Sequence, residues 1–481
     1  MMESWESLLG FASLLGYATT LLLLPVVLLT KKEQPVSTVA WVMAIVTMPI
    51  VGAILFAVFG VNRVARRRLR SRQRIQESLG SLLPPIAGSP TAEDAECGPV
   101  PAALRRIARR LDSTRAMWGN VVDVLHDADR VFAEIEGAIQ GAKSSIHLEY
   151  YIWQPDRTGT RLRDLLIARA QEGIKVRFLY DTLGSMWLTR RFLQPMRDAG
   201  IHVATFVPGR SLFERWSINL RSHRKIIIVD GAVGFTGGMN VGDEYLGRDP
   251  YFGYWRDTHL RLRGPVVLQL QEVFALDWMS ATREQLVQPE LYPAAVQTGG
   301  VTAQVLSGGP DDEENVFHTL MFAAINEARR SVTLMTSYFV PPPAIVTALE
   351  TAALRGVRVR IMVSGPKTYW VTRHACRSYY DSLLQAGAEI YEYRRGQQHA
   401  KTLAIDDCWS LVGTPNCDAR SLFLNFEVAV AIYDATIAEQ LSAHFELDLP
   451  DALKIELPTW SKRSTVERLK ENLCRMFSPV L

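Results

Sequence analysis

Cysteine is scarce in this 481-residue chain: Cys97, Cys376, Cys408, Cys417 and Cys474 are odd in number and lack the C-x-x-C spacing of a zinc or redox centre. They read as reduced and incidental, with Cys408 and Cys417 as small apolar filler. An excess of one charge is also missing. The net charge is only +3, whereas a dedicated nucleic-acid binder normally carries a global basic signal. Neither an H-E-x-x-H pattern nor an acidic EF-hand-like loop occurs, so no metal or other cofactor is expected. Charge is absent altogether from residues 8–29 and 36–61, and each stretch is long enough to cross a bilayer core.

What is present begins with those stretches. The chain opens Met-Met-Glu-Ser-Trp-Glu, without the basic n-region of a signal peptide, and the second apolar stretch follows the first at once. The expectation is a retained transmembrane helical hairpin over 1–62, with Pro25 and Pro49 inside the spans. Lys31 and Lys32 lie in its loop, but Arg63, Arg66, Arg67, Arg68, Arg70, Arg72 and Arg74 follow it. The positive-inside rule then places the rest of the chain in the cytoplasm.

Residues 63–117 read as a basic juxtamembrane segment and linker. It ends in a short helix with Leu104, Ile107, Ala108 and Leu111 on one face and Arg105, Arg106, Arg109 and Arg110 on the other. An anionic membrane surface and a packed helix with a solvated basic face both fit that pattern. The same two readings stay open for an amphipathic segment over 459–481, where Val466, Leu469, Leu473 and Phe477 stand among Lys462, Arg463, Arg468, Lys470 and Arg475.

Between these segments lies an internal repeat. Ala142 to Tyr151 corresponds to Ala328 to Tyr338, Gly173 to Arg177 matches Gly356 to Arg360, and Asp198 to Ile201 matches Gln385 to Ala388. Each half alternates helical periods with short β-branched runs before a final motif strand, which indicates two similar α/β lobes, 118–297 and 298–458, paired about a pseudo-two-fold. The first half carries an insertion with Leu212, Phe213, Trp216 and Ile218 among Arg210, Glu214 and Arg215. Lipid access and a packed loop are both open to it.

The motif is H-x-K-x-x-x-x-D, present as His223, Lys225 and Asp230 and again as His399, Lys401 and Asp406. Residues two apart on a strand share a face, so each His and Lys point together; each Asp, seven residues on, falls on the other face as a structural anchor. One match arises by chance; two at equivalent places in a repeat do not. Lysine beside histidine repels cations and favours an anion such as a phosphodiester. At matching distances follow Gly238 with Asn240 and Thr414 with Asn416, small or amide residues suited to binding phosphate. A carboxylate follows each set, Asp257 and Glu427, and these are the candidates to orient the histidines.

These residues resemble the phospholipase D superfamily, whose hallmark is the paired motif, and within it the bacterial cardiolipin synthases. The likeness extends through Gln34 to Trp41, Met48 to Gly52, Glu149 to Tyr151, Gly237 to Asn240, Trp255 to His259, Thr336 to Pro341 and Asn416 to Ser421. The family often has Ser where Thr414 stands and Pro where Ser337 stands. The resemblance implies an α/β fold of two phospholipase D-like lobes behind a membrane hairpin. It also implies transfer of a phosphatidyl group between two phosphatidylglycerols through a phosphohistidine, with His223, Lys225, Asp230, His399, Lys401 and Asp406 as the catalytic set. By analogy His223 attacks and His399 is the acid/base. The partners implied are phosphatidylglycerol and other anionic membrane lipids rather than nucleic acid, at the bacterial cytoplasmic membrane. Hydrolysis to phosphatidic acid by the same site is the alternative, and oligomeric state is not encoded.

Overall fold

The computed structural model describes residues 18, 20–29, 35–56, 99–112, 114–206, 221–294, 296–310 and 314–478. The start of the first apolar stretch, the arginines of 63–74, most of the linker and the insertion at 210–218 lie outside them. Two units are distinguished, an N-terminal one and a larger body.

In the N-terminal unit, Val27, Ile45 and Phe56 form a small apolar cluster with Leu23, Trp41 and Val42. Thr20 donates to the Ile45 carbonyl. The second apolar stretch is split into helices Pro35–Thr47 and Pro49–Leu55, because Met48 leaves helical geometry just before Pro49. Among the described residues no helix is long and apolar enough to cross a membrane.

The body opens with helix α1 (Pro99–Asp112) and continues as lobe 1: β1 (Met117–Leu125), α2 (Ala128–Gln140), β2 (Ser145–Tyr150), α3 (Arg157–Gln171), β3 (Lys175–Asp181), α4 (Arg190–Asp198), β4 (His202–Phe206), β5 (Arg221–Ser222), β6 (Lys225–Val229), β7 (Val233–Gly237), β8 (Tyr254–Arg256), β9 (His259–Arg263) and α5 (Val266–Thr282). Lobe 2 repeats the order: β10 (Val301–Gly308), α6 (Val316–Glu327), β11 (Ser331–Thr336), β12 (Phe339–Val340), α7 (Pro343–Leu354), β13 (Arg358–Ser364), α8 (Trp370–Arg377), α9 (Tyr380–Ala386), β14 (Glu389–Tyr393), β15 (Gly396–Gln398), β16 (Thr402–Ile405), β17 (Trp409–Gly413), β18 (Cys417–Asp418), α10 (Ala419–Phe423), β19 (Asn425–Ile432) and α11 (Ala435–Asp448). A short strand β20 (Ala452–Lys454) and helix α12 (Thr465–Arg475) close the chain.

Local signals explain the helices. Asp127 caps α2 by accepting from the Arg130 N–H at 2.9 Å, and Val131, Phe132, Ile135 and Ile139 bury one face. Asp156, Thr189 and Asp434 cap α3, α4 and α11 in the same way. The strands β2 and β6 are buried throughout, as expected of central strands covered on both faces.

Lobe 1 has the strand order β1-β9-β7-β6-β2-β3-β4 and lobe 2 the equivalent β10-β19-β17-β16-β11-β13-β14, with β20 at the edge. Antiparallel pairing of β1 with β10 joins the two sheets. A shared apolar cluster, with Leu260, Leu270 and Phe274 from lobe 1 and Val412, Phe426 and Val430 from lobe 2, fills the seam.

For two segments the structure decides between readings that the sequence left open. Helix α1, assigned to the linker, packs Val100, Leu104 and Ala108 into the lobe 2 core; burial of its apolar stripe favours docking on the body. Helix α12 also docks, but the other way round. Its buried residues are Glu471 and Cys474, with Glu471 held by Arg377 and Arg463. Val466, Leu469, Leu473 and Phe477 face outward, each at least half exposed.

Candidate active site

Both motif histidines line one cavity of about 250 Å³, together with Asn240 and Asn416. The strands that follow them, β6 and β16, are central in their lobes and equivalent in position. A larger cavity of about 590 Å³, among Lys175, Arg177, His202 and Glu290, holds neither histidine.

The lobes exchange partners at the centre. Strand β5 pairs in parallel with the start of β19, and the His223 N–H donates to the Phe426 carbonyl at 2.8 Å. Strand β15 pairs likewise with β8, and the His399 N–H donates to the Arg256 carbonyl at 2.6 Å. Each histidine is thereby set beside the carboxylate of the opposite lobe. His223 Nδ1 lies 2.9 Å from Glu427 Oε2, and His399 Nδ1 lies 2.8 Å from Asp257 Oδ2. A carboxylate on Nδ1 fixes the tautomer and leaves Nε2 as the reactive nitrogen.

Burial dominates the electrostatics. It lowers His223 to about 4 and His399 to about 3, against the opposing pull of Glu427 and Asp257. Both rings are therefore neutral at neutral pH. Burial alone would raise the two carboxyls, but His399 and Lys401 hold Asp257 below its ordinary value, and His223 and Lys225 do the same for Glu427. The lysines are fully buried and lowered for the same reason, Lys225 to about 7 and Lys401 to about 8. Lys225 Nζ donates to the His223 carbonyl at 2.7 Å and lies over the Tyr151 ring, while Lys401 Nζ donates to Ser337 Oγ at 2.8 Å. Two neutral imidazoles and two ammonium groups suit a tetrahedral anion placed between them.

Other residues of the expected set lie away from the cavity, the two motif aspartates as the anchors that strand periodicity predicts. Asp230 and Asp406, grouped with the catalytic set, sit at the far ends of β6 and β16. Asp230 accepts from the N–H groups of Lys143, Ser144 and Ser145, and Asp406 from those of Arg329, Arg330 and Ser331. They anchor the turns into β2 and β11 and do not line the cavity. Gly238 and Thr414, expected at the phosphate, serve the carboxylates instead. A Cβ on Gly238 would fall 2.0 Å from Asp257 Oδ1, and the Thr414 hydroxyl donates to Glu427 Oε2 at 2.5 Å. Asn240 is partly committed, accepting from the Ile152 N–H and donating to Tyr245.

Sequence reasoning missed the supports behind the histidines. Arg224 donates to the Glu427 carbonyl at 3.1 Å and pairs with Asp277, and Ser222 donates to the buried Glu149. Arg256 pairs with Asp448 at 2.7 Å on the other side. Tyr151 and Trp255 lie against His223 and His399 with ring centroids 5.0 and 5.1 Å apart. Arg224 and Ser222 lay in or next to the motif, and Glu149, Tyr151, Trp255 and Arg256 lay in stretches already matched to the family, whereas Asp277 and Asp448 carried no signal.

A family model described as the cardiolipin synthase, phospholipase D-like domain matches residues 135–278 and 321–449. The chain belongs to the cardiolipin synthase family. A second model, a phospholipase D-nuclease N-terminal segment, matches residues 19–60. A cardiolipin synthase of Halalkalibacterium halodurans is 37% identical over 99% of this chain and 95% of its own length. One of a Geobacillus species is 38% identical over 100% and 96%. The crystal structure of a phosphatidylserine synthase of Haemophilus influenzae shares the fold, with a TM-score of 0.60 at 16% identity over 79% of this chain and all of that one. As a cardiolipin synthase family member the chain is a phosphatidyltransferase of the phospholipase D type.

Proposed function

We propose that this site transfers the phosphatidyl group of one phosphatidylglycerol to the primary hydroxyl of another, releasing glycerol and forming cardiolipin. The observation that carries the reading is the pair of neutral, buried histidines, each oriented by the opposite lobe's carboxylate and flanked by a buried lysine. One imidazole attacks phosphorus through Nε2 while the other, neutral in the free site and protonated from solvent once the phosphate anion is bound beside it, gives that proton to the departing glycerol oxygen. The neutral base so formed then takes the proton of the incoming hydroxyl as the P–N bond breaks. Family analogy assigns attack to His223 and proton transfer to His399. Lys225, Lys401 and the amides of Asn240 and Asn416 would balance charge on the five-coordinate phosphorus.

Lipid substrates fit the surface around the cavity. The loop after β3 exposes Leu183, Met186 and Trp187, and the equivalent loop after β13 leads into exposed Tyr369 and Trp370. Tyr369 itself lines the cavity. Residues 8–29 and 36–61 are read as a transmembrane hairpin holding the body at the cytoplasmic face of a bacterial membrane. The family match over 19–60 and the outward Leu21, Leu22, Leu29, Val39 and Met43 support this.

The full chain in phosphatidylglycerol vesicles should yield cardiolipin and glycerol, and His223→Ala or His399→Ala alone should abolish both. Phosphatidic acid without cardiolipin from the unaltered protein would establish hydrolysis instead.

A further inference from the structure

The pseudo-two-fold makes the two cavity walls directly comparable. Four residues beyond Asn240 stands Glu244, and four beyond Asn416 stands Arg420; Tyr245 and Ser421 come next. Two residues before each carboxylate stand Trp255 and Asn425. All six line the cavity. At these three positions lobe 1 presents an acid and two large aromatics, while lobe 2 presents a guanidinium, a hydroxyl and an amide. The histidines, lysines and asparagines kept their symmetry, and the flanking wall lost it.

Charge and hydrogen bonding favour one kind of ligand on the lobe 2 wall. Arg420 lies within electrostatic range of Tyr151 and of Arg221. Arg221 is only 8% exposed, and its Nε has no hydrogen-bond partner among the described residues. Two neighbouring guanidiniums repel, a cost that an anion between them reverses. The nearby carboxyls, Asp181 and Asp418, are both raised by burial. Their oxygens also accept from backbone N–H groups, those of Leu183, Gly184 and Ser222 for Asp181 and that of Ser421 for Asp418. They offset the positive charge only in part. Asn416 Oδ1 and Asn425 Oδ1 are buried and unpartnered among the described residues, and buried acceptors call for donors such as hydroxyls. A phosphate joined to a polyol satisfies both demands.

We propose that Arg420, with Ser421, Asn425 and the adjacent Arg221, forms the acceptor subsite, which holds the phosphate and glycerol hydroxyls of the second anionic phospholipid. This rests on the transferase reading above. In the step it serves, the P–N bond of the phosphohistidine breaks with its electron pair returning to the ring. The acceptor's primary oxygen forms the new P–O bond, and its proton passes to the other histidine. Holding the acceptor by its phosphate favours a lipid alcohol over water at that moment. The aromatic wall of lobe 1 has no comparable grip on a second anion.

The full chain in phosphatidylglycerol vesicles is given 1-butanol as an uncharged competing acceptor, and cardiolipin, phosphatidylbutanol and phosphatidic acid are measured together. Losing one charge-assisted contact should lower the cardiolipin-to-phosphatidylbutanol ratio of Arg420→Gln by about 10- to 100-fold. Arg420→Lys, which keeps a positive charge for the phosphate, should lower the ratio less than R420Q does. Equal loss of all three products in R420Q, with the ratio unchanged, overturns the subsite. Should R420Q fail to fold, Arg221→Gln is read by the same ratio, and an unchanged ratio there overturns it too. Phosphatidic acid as the sole product of the unaltered chain overturns the transferase reading instead.

Discussion

Neutral histidines between buried lysines set the pH response of the site. Burial lowers Lys225 to about 7 and Lys401 to about 8, so both are charged below that range and lose the charge above it. For free enzyme, kcat/KM towards phosphatidylglycerol should therefore fall as pH rises through about 7 to 8. Bound phosphate favours the charged lysines, so the alkaline limb of kcat should lie higher; superimposed limbs would argue against lysine control. The crossed carboxylates make a second prediction. Asp257→Asn and Glu427→Gln should each cost about 10³-fold or more in kcat, as when the orienting carboxylate of a catalytic histidine becomes an amide. The spacing of His223, Lys225, His399 and Lys401 was legible in the sequence because strand periodicity fixes which residues share a face. Which carboxylate meets which histidine was not legible. That depends on β5 joining β19 and β15 joining β8, and no local pattern records a cross-lobe pairing.

At the level of elements, the motif aspartates act as stitches. Asp230 and Asp406 take φ of 54° and 53° and gather three backbone N–H groups each from the turn into a neighbouring strand. Asp230→Ala would leave those donors without their anion and should destabilise the fold by about 2 kcal/mol, read as a lowered denaturation midpoint. The folded fraction should keep its turnover per molecule, since the side chain is remote from the cavity. The two equivalent strand orders were foreseeable from the repeat, whose alternation of helical and β-branched runs marks each unit. The amphipathic helices were not. Periodicity finds an apolar stripe but not the direction it faces: α1 turns its stripe inward to lobe 2, whereas α12 buries Glu471 between Arg377 and Arg463 and turns its stripe out.

Across the whole molecule, that outward stripe carries a prediction about the interface with lipid. Replacing Leu469 and Phe477 together by Asp should raise the apparent KM for phosphatidylglycerol in vesicles by about tenfold, because burying apolar side chains drives interfacial docking. No change in KM would mean that α12 does not meet the bilayer. The exchange of carboxylates has another consequence, for the kind of object the body is. Each half supplies the other with the group it lacks, which is the geometry of a symmetric dimer interface, where one patch meets its own copy. Here both copies are written into one polypeptide. The partner is always present at a high effective concentration, so the site assembles independently of how dilute the protein is. Once the halves were tied together, one wall was free to change without its twin, as Glu244 and Arg420 now differ; two identical subunits could not have diverged in that way.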